Sequence, residues 1–270
     1  MSTTTRVVIE IEGHIAHVHL SRPQVHNALD FAMFEQLIDA AKTIRRDTRI
    51  RAVVLSGDGP SFCAGLDFKS VKKQPSIAAK IFLKWPWSKT NIAQKTANCW
   101  RDLPVPVLAA IHGNCFGGGL QIALGADIRF CAPDASLSVM EIRWGIIPDM
   151  SGTLALSKLT RYDVAQELTM TGRVINGTTA HELGLVSHLS QSPQADALAL
   201  AEELVEKSPD ALAGTKLLFR KTWQSGNWLA LGWERWVQMR LLGRANQIIA
   251  MKNGLEKENT QPFKNRSRWW

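Results

Sequence analysis

Three consecutive glycines, Gly117–Gly119, sit inside the stretch His112–Gln121 (H-G-N-C-F-G-G-G-L-Q), and nothing else in this chain limits its fold as tightly. Glycine has no side chain to hold a neighbour off, so such a run marks backbone that something else approaches closely. Before it, Val105–Ile111 (V-P-V-L-A-A-I) is an apolar run of strand length. After it, Gly119–Ala126 reads as a helix with Leu120, Ala123 and Leu124 apolar. The first N–H groups of a helix lack partners within it and lie at the positive end of its dipole. A turn of this kind can offer backbone donors to an anion, or it can simply pack strand tightly on helix. The glycines alone leave both open.

The same arrangement occurs earlier. Arg6–Ile11 and His14–Leu20, separated by Glu12-Gly13, read as a β-hairpin with alternating apolar positions. Asp30 is placed to cap a helix in which Phe34, Leu37, Ile38, Ala41 and Ile44 recur at helical spacing. Arg51–Ser56 is a buried strand running into a second glycine-bearing turn, Gly57–Asp67 (G-D-G-P-S-F-C-A-G-L-D). Strand, glycine turn, helix, strand: the repetition predicts an α/β fold. Residues Ser70–Trp100 are less regular, because Lys72, Lys73, Pro75, Trp85, Pro86 and Trp87 interrupt any long helix. A shorter helix fits Asn91–Arg101. The aromatic residues there either line an apolar pocket near the glycine turn or anchor a loop. Further on, Asp127–Ala132 and Ser136–Met140 read as short strands. Helical periodicity resumes at Thr153–Leu159, Val164–Met170, Thr178–Leu183, Ala195–Lys207 and roughly Trp228–Lys252. The last segment, with Trp233, Trp236, Val237, Leu241, Ile248 and Ile249, is too apolar for a free surface helix and is expected to pack on the core or on a neighbouring subunit.

Composition narrows the class. With 270 residues and 45% hydrophobic, the chain can bury one large core or two small ones, and its charge of +8 favours anionic ligands. Lysines and arginines concentrate only at Lys69–Lys73 and Lys264–Arg268, which makes nucleic acid an unlikely partner. No run approaches the roughly 20 apolar residues of a membrane span, and the N-terminus lacks a long apolar segment, so a cytoplasmic protein is expected. Cys63, Cys99, Cys115 and Cys131 form no C-x-x-C pair, which argues against a zinc module or a disulfide framework. Cys63 and Cys115 read as small turn-filling residues rather than nucleophiles. His17 and His19 share a strand face but no carboxylate pattern completes a metal site, so no metal is expected. Nucleotide motifs fail as well. Gly57 and Gly59 fit the start of a dinucleotide fingerprint but Phe62 stands at its third glycine. Gly113 and Gly118 have P-loop spacing, but Gly119 and Leu120 follow where Lys and Ser/Thr are required.

Taken in order, Ser21–Leu29 (S-R-P-Q-V-H-N-A-L), Ser61–Asp67 (S-F-C-A-G-L-D), Ile111–Ala123, Ala126–Ala132 and Glu141–Thr153 (E-I-R-W-G-I-I-P-D-M-S-G-T) resemble the crotonase superfamily, the enoyl-CoA hydratase/isomerase family. Thr171–Arg173 and Ala180–Val186 continue the pattern, which extends from about residue 6 to 250. The resemblance implies a spiral core of repeated β-β-α units over residues 1–195. It also implies a helical C-terminal region, 196–270, that builds trimers or hexamers. An acyl-CoA thioester is the implied substrate, with no cofactor beyond the CoA it brings. By the same similarity, the backbone N–H groups of Ala64 and Gly118 form an oxyanion hole. Gln24, Val25, Leu66, Asp67, Gly117 and Gln121 contact substrate, and Lys69–Lys73 faces the CoA phosphates or is merely solvated.

Hydratases of the family use two glutamates, one after the glycines and one on the later turn. Here Gln121 and Glu141 occupy those positions. An amide can orient water but cannot take its proton, so ordinary hydration is in doubt. Asp149 is a second carboxylate, and Glu141 with Asp149 resembles the pair in the dienoyl-CoA isomerases, although those carry an aspartate where Gln121 stands. Asp149 could instead cap a helix starting near Ser151. The expected function is double-bond isomerisation of an unsaturated acyl-CoA, with Glu141 as principal base. Hydration of 2-enoyl-CoA is the alternative, and a non-catalytic CoA- or RNA-binding scaffold is the reading from a different class.

Overall fold

A computed structural model describes residues 5–73, 80–84, 86–256 and 258–270; Pro75 and Trp85, singled out above, lie outside them. The chain opens with β1 (Val7–Glu12), β2 (Ile15–Leu20), α1 (Phe31–Arg46) and β3 (Ala52–Gly57). Then follow α2 (Phe68–Lys73), α3 (Ile92–Asp102), β4 (Val107–Ile111), β5 (Asn114–Phe116), α4 (Gly118–Leu124), β6 (Ile128–Cys131) and β7 (Ser136–Ser138). The remainder is α5 (Gly152–Leu159), α6 (Tyr162–Thr171), β8 (Ile175–Asn176), α7 (Gly177–Glu182) and β9 (His188–Leu189), then α8 (Pro193–Val205), α9 (Pro209–Thr222), α10 (Asn227–Leu241) and α11 (Ala245–Leu255).

β1 and β2 join through a tight turn and pair antiparallel, Val7 opposite Leu20 and Glu12 opposite Ile15. From β2 on, every neighbour in the main sheet is parallel, which requires a crossover between strands. Among the described residues, this gives a six-stranded sheet in the order β1-β2-β3-β4-β6-β9 and a smaller sheet β5-β7-β8. The chain therefore winds as a spiral of β-β-α units, as the resemblance implies. β3 and β4 are buried along their whole length, as their unbroken apolar runs require.

Alternation along these strands builds two cores. Val53, Leu55, Ala109 and Ile111 pack with α1, whose Asp30 cap accepts the Met33 N–H and whose Phe34, Leu37 and Ile44 are buried. Ala52, Val54, Leu108 and Ala110 point the other way, against Ala197, Ala201 and Val205 of α8. The boundary expected at residues 195 and 196 falls inside α8, the helix that covers this second face.

Two features differ from expectation. The helix read as Trp228–Lys252 is two helices, α10 and α11, because Gly243 adopts φ +70 between them. α9 is additional, and its start signal is local: the Ser208 hydroxyl accepts the Ala211 N–H, and Pro209 opens the first turn. In the single chain α10 buries only Val237 and leaves Trp228 80% exposed, so the face expected to meet core or neighbour is open.

One side chain ties the front of the chain to the glycine turns. Asn27 is fully buried in the left-handed conformation (φ 55), which asparagine tolerates better than most residues. Its amide donates to the carbonyls of Asp58 (2.9 Å), Ser61 (2.8 Å) and Phe62 (3.2 Å). Its Oδ1 accepts the Arg22 N–H at 2.7 Å. Asn27→Ala strands these buried groups without partners, at about 1–3 kcal/mol for a group left unsatisfied. Urea unfolding should show a loss of about 2–3 kcal/mol; a loss under about 0.5 kcal/mol would mean that the amide is not what joins the two loops.

Candidate active site

The two glycine turns interlock backbone to backbone. Phe62 N–H donates to His112 O, Cys63 N–H to Asn114 O and Phe116 N–H to Cys63 O, each within 2.9–3.0 Å. No side chain fits between them. A Cβ on Gly119 would lie 2.5 Å from the Cys63 carbonyl oxygen, and one on Gly65 would lie 2.8 Å from that of Phe116. Gly65 also needs its left-handed φ of +87. This close approach places the Gly65–Leu66 peptide beside the first turn of α4, since a Cβ on Gly65 would be 3.7 Å from Gly118 N. Burial pushes the Cys63 thiol up to about 12 and the Cys115 thiol well above its ordinary value, so both stay protonated and fill the turn.

The donors here differ from the expected pair in one member. The Ala64 N–H is already committed to His26 O at 2.8 Å and is not available to a ligand. Two residues on, Leu66 sits in a bridge with Leu29, whose bonds use Gly65 O and the Asp67 N–H and leave the Leu66 N–H free. Among the described residues neither Leu66 N–H nor Gly118 N–H has an acceptor, the second because it opens a helix. Both residues line one cavity, together with Ala64, Gly117, Glu141 and Asp149.

Glu141 begins a 3-10 turn (Glu141–Trp144) and is only 7% exposed. Its carboxylate lies against the glycine turn: a Cβ on Gly117 would be 3.3 Å from Oε1. Gln121 Nε2 donates to that Oε1 at 2.6 Å, while Gln121 Oε1 accepts the N–H groups of Met150 (2.8 Å) and Gly152 (2.9 Å). The two backbone donors fix which end of the amide is oxygen, so Gln121 donates to Glu141, and Gln121 is not among the residues that line the cavity. The Glu141 Oε2 is buried without a partner. Burial raises the Glu141 pKa above its ordinary value, and the nearby Asp149 carboxylate adds to the rise against the Gln121 bond. Burial likewise raises Asp149. Asp149 does not cap α5: the N-cap residue is Ser151, and Gln121 takes the Met150 and Gly152 N–H groups.

Aromatic side chains wall the cavity, with Phe34, Phe82 and Phe116 in its lining and Phe68 stacked on Trp144 at 4.0 Å between centroids. Other expected contacts lie elsewhere. Gln24 and Val25 are exposed on a 3-10 turn (Pro23–Val25) outside this lining. Asp67 accepts from Ser70 N (3.0 Å), Ser70 Oγ (2.7 Å) and the Arg22 guanidinium (3.2 Å), which is the work of a helix cap and an ion pair. Burial alone would raise Asp67, but these bonds hold its carboxyl below the ordinary value. Lys69 and Lys72 are exposed. His17 and His19 stack 6.3 Å apart, His19 bonded to Ser56 Oγ at 2.9 Å.

The spiral fold gathers two unpaired backbone donors, at Leu66 and Gly118, and two carboxyl groups, Glu141 and Asp149, around one cavity. The enoyl-CoA hydratase/isomerase family model matches residues 10–262, and this chain belongs to that family. It is 34% identical over 219 residues to the mitochondrial Delta(3,5)-Delta(2,4)-dienoyl-CoA isomerase of Mus musculus, a match spanning 78% of this chain and 67% of that one. It is 30% identical over 263 residues to the short-chain-enoyl-CoA hydratase of Clostridium acetobutylicum, covering 96% of this chain and 98% of the relative. Among solved structures, the enoyl-CoA hydratase from Bacillus anthracis superposes with a TM-score of 0.86 at 26% identity, over 97% of this chain and 100% of that one. No helix of the described residues is long and apolar enough to cross a membrane.

The raised pKa of Glu141 has a consequence for stability. A carboxyl that holds its proton more tightly when folded is without penalty below its unfolded pKa and destabilises as pH rises through the folded value. Glu141→Gln should therefore gain stability relative to wild type between pH 4 and pH 8. Denaturant midpoints across that range test this, and a pH-independent difference would mean that the carboxyl is not desolvated.

Proposed function

We propose that this chain catalyses double-bond isomerisation of an unsaturated acyl-CoA, with Glu141 as the proton-carrying base. The observation that supports it most is the asymmetry of that carboxyl group. Oε1 is held by Gln121, Oε2 is buried and unpartnered, and Glu141 lines the same cavity as the two free N–H donors.

In this reading the thioester oxygen accepts from Leu66 N–H and Gly118 N–H. Proton removal beside the thioester, or at the vinylogous position of a conjugated chain, puts negative charge on that oxygen, where two preplaced donors meet it. One such donor is worth about 3–4 kcal/mol of barrier. Glu141 Oε2 takes the proton from one carbon and returns it to another. A raised carboxyl pKa suits both steps, since the group must release what it has taken near neutral pH. Asp149 shares the cavity and serves as the second acid/base where the shift spans more carbons. Gln121 cannot replace it, because a neutral amide neither takes up nor releases a proton near neutral pH. The CoA arrives and leaves with the substrate, and the chain's own groups supply the chemistry. The open apolar face of α10 supports assembly into trimers or hexamers.

Hydration of 2-enoyl-CoA is the second reading, favoured by the nearly full-length match to a hydratase. Purified protein offered 2-enoyl-, 3-enoyl- and 3,5-dienoyl-CoA separates the two. Isomerised products are expected from the last two, with Glu141→Gln slower by about 10²–10⁴-fold and still able to bind acyl-CoA. Asp149→Asn should slow the dienoyl substrate more than the 3-enoyl one. Rapid hydration of 2-enoyl-CoA with no double-bond shift would overturn the assignment.

A further inference from the structure

A second cavity, of about 430 Å³, lies at the other end of α4. That volume is within the range of small-molecule sites, roughly 300–1,000 Å³. Its walls are apolar: Leu124, Ile128, Leu159, Leu204, Phe219 and Trp223, the last two meeting edge to face at 5.8 Å. Leu124 ends the helix that Gly118 begins, so about 10 Å of helix, at 1.5 Å per residue, separates this cavity from the catalytic donors.

The charges around it do not balance. Arg101, Lys158, Lys216 and Arg220 all contribute to the lining. Two acids answer them, and both are already committed. Asp127 bonds Lys216 at 2.6 Å and the Val107 N–H at 2.8 Å, and Asp102 bonds Arg220 at 2.5 Å. Lys216 is further held by the carbonyls of Trp100 and Val105, both at 2.9 Å. The side chains of Arg101 and Lys158 are half-buried and, among the described residues, have no hydrogen bond and no carboxylate within 4 Å. Burial lowers the pKa of Lys158, and the neighbouring Arg101 and Arg220 lower it further. Burial lowers Arg101 too, with Arg220 pushing the same way against the pull of Asp127 and Asp102. Two cations with no carboxylate bonded to them, at an apolar cavity, call for an anion with an apolar body.

We propose that this cavity binds an alkyl carboxylate, its head group between Arg101 and Lys158 and its chain along Leu124, Ile128, Leu204 and Phe219. The site is independent of the reaction assigned above. Titration calorimetry with octanoate tests it, using octan-1-ol and acetate as controls for charge and chain. Octanoate should bind at least tenfold more tightly than either control. The double variant Arg101→Gln/Lys158→Gln should weaken octanoate at least tenfold, while Glu141→Gln and saturating butyryl-CoA should leave it unchanged. Four results would each refute the site: no uptake of octanoate, equal affinity for octan-1-ol, an unchanged double variant, or displacement by butyryl-CoA. If the double variant instead changes the oligomeric state while wild type takes up no octanoate, the cavity receives a neighbouring chain and the carboxylate assignment fails.

Discussion

Two stretches of backbone touch with nothing between them where Ser61–Asp67 meets His112–Gly119, and the candidate site depends on that contact. Side chains normally keep chain segments apart; here glycine removes them at the points of nearest approach. A Cβ at Gly113 would sit 2.0 Å from the Pro60 carbonyl oxygen, and one at Gly119 2.5 Å from that of Cys63. The hydrogen bonds that this proximity permits hold the turns in register around Cys63 and Cys115. What remains unbonded after they form is the pair of donors at Leu66 and Gly118. The free donors are a by-product of two turns that satisfy almost everything else between themselves.

The acid is held by the same economy of contacts. Gln121 belongs to α4, Glu141 to the turn after β7, and Met150 and Gly152 to the start of α5. One amide joins all three. It spends its oxygen on backbone N–H groups and its nitrogen on one carboxylate oxygen. A glutamate at 121 could accept from the same N–H groups, but its second oxygen would face Glu141 Oε1 across 2.6 Å, and the pair would have to share a proton. The neutral amide leaves Glu141 as the one carboxyl at that junction. That is the physical reason for reading this site as proton transfer rather than two-acid addition of water.

Much of this was legible from residues. Strand length and glycine placement led to an α/β fold, and the ordered motifs led to the spiral through the family they resemble. The same resemblance pointed to Glu141 and Asp149, and chemistry set them above Gln121, since an amide cannot cycle a proton. That the Ala64 N–H is taken, leaving Leu66 as the free donor, was not readable, because the left-handed His26 turns its carbonyl onto the Ala64 N–H, and backbone direction at a non-glycine residue leaves no mark in sequence. Asp67 looks like a ligand in a motif but ends as a cap, because Ser70 lies three residues on and Arg22 folds back from a distant loop. The break between α10 and α11 was written in Gly243, which apolar periodicity on both sides conceals. The start of α9 at Ser208-Pro209 was readable by cap chemistry alone.

A crystal structure of the protein with a saturated acyl-CoA tests the central claim directly. The account predicts the thioester oxygen about 3 Å from both Leu66 N and Gly118 N, with the first carbons of the acyl chain facing Glu141 Oε2. A thioester oxygen bonded to Ala64 N, or placed away from Gly118 with Glu141 out of reach of the acyl chain, would contradict it.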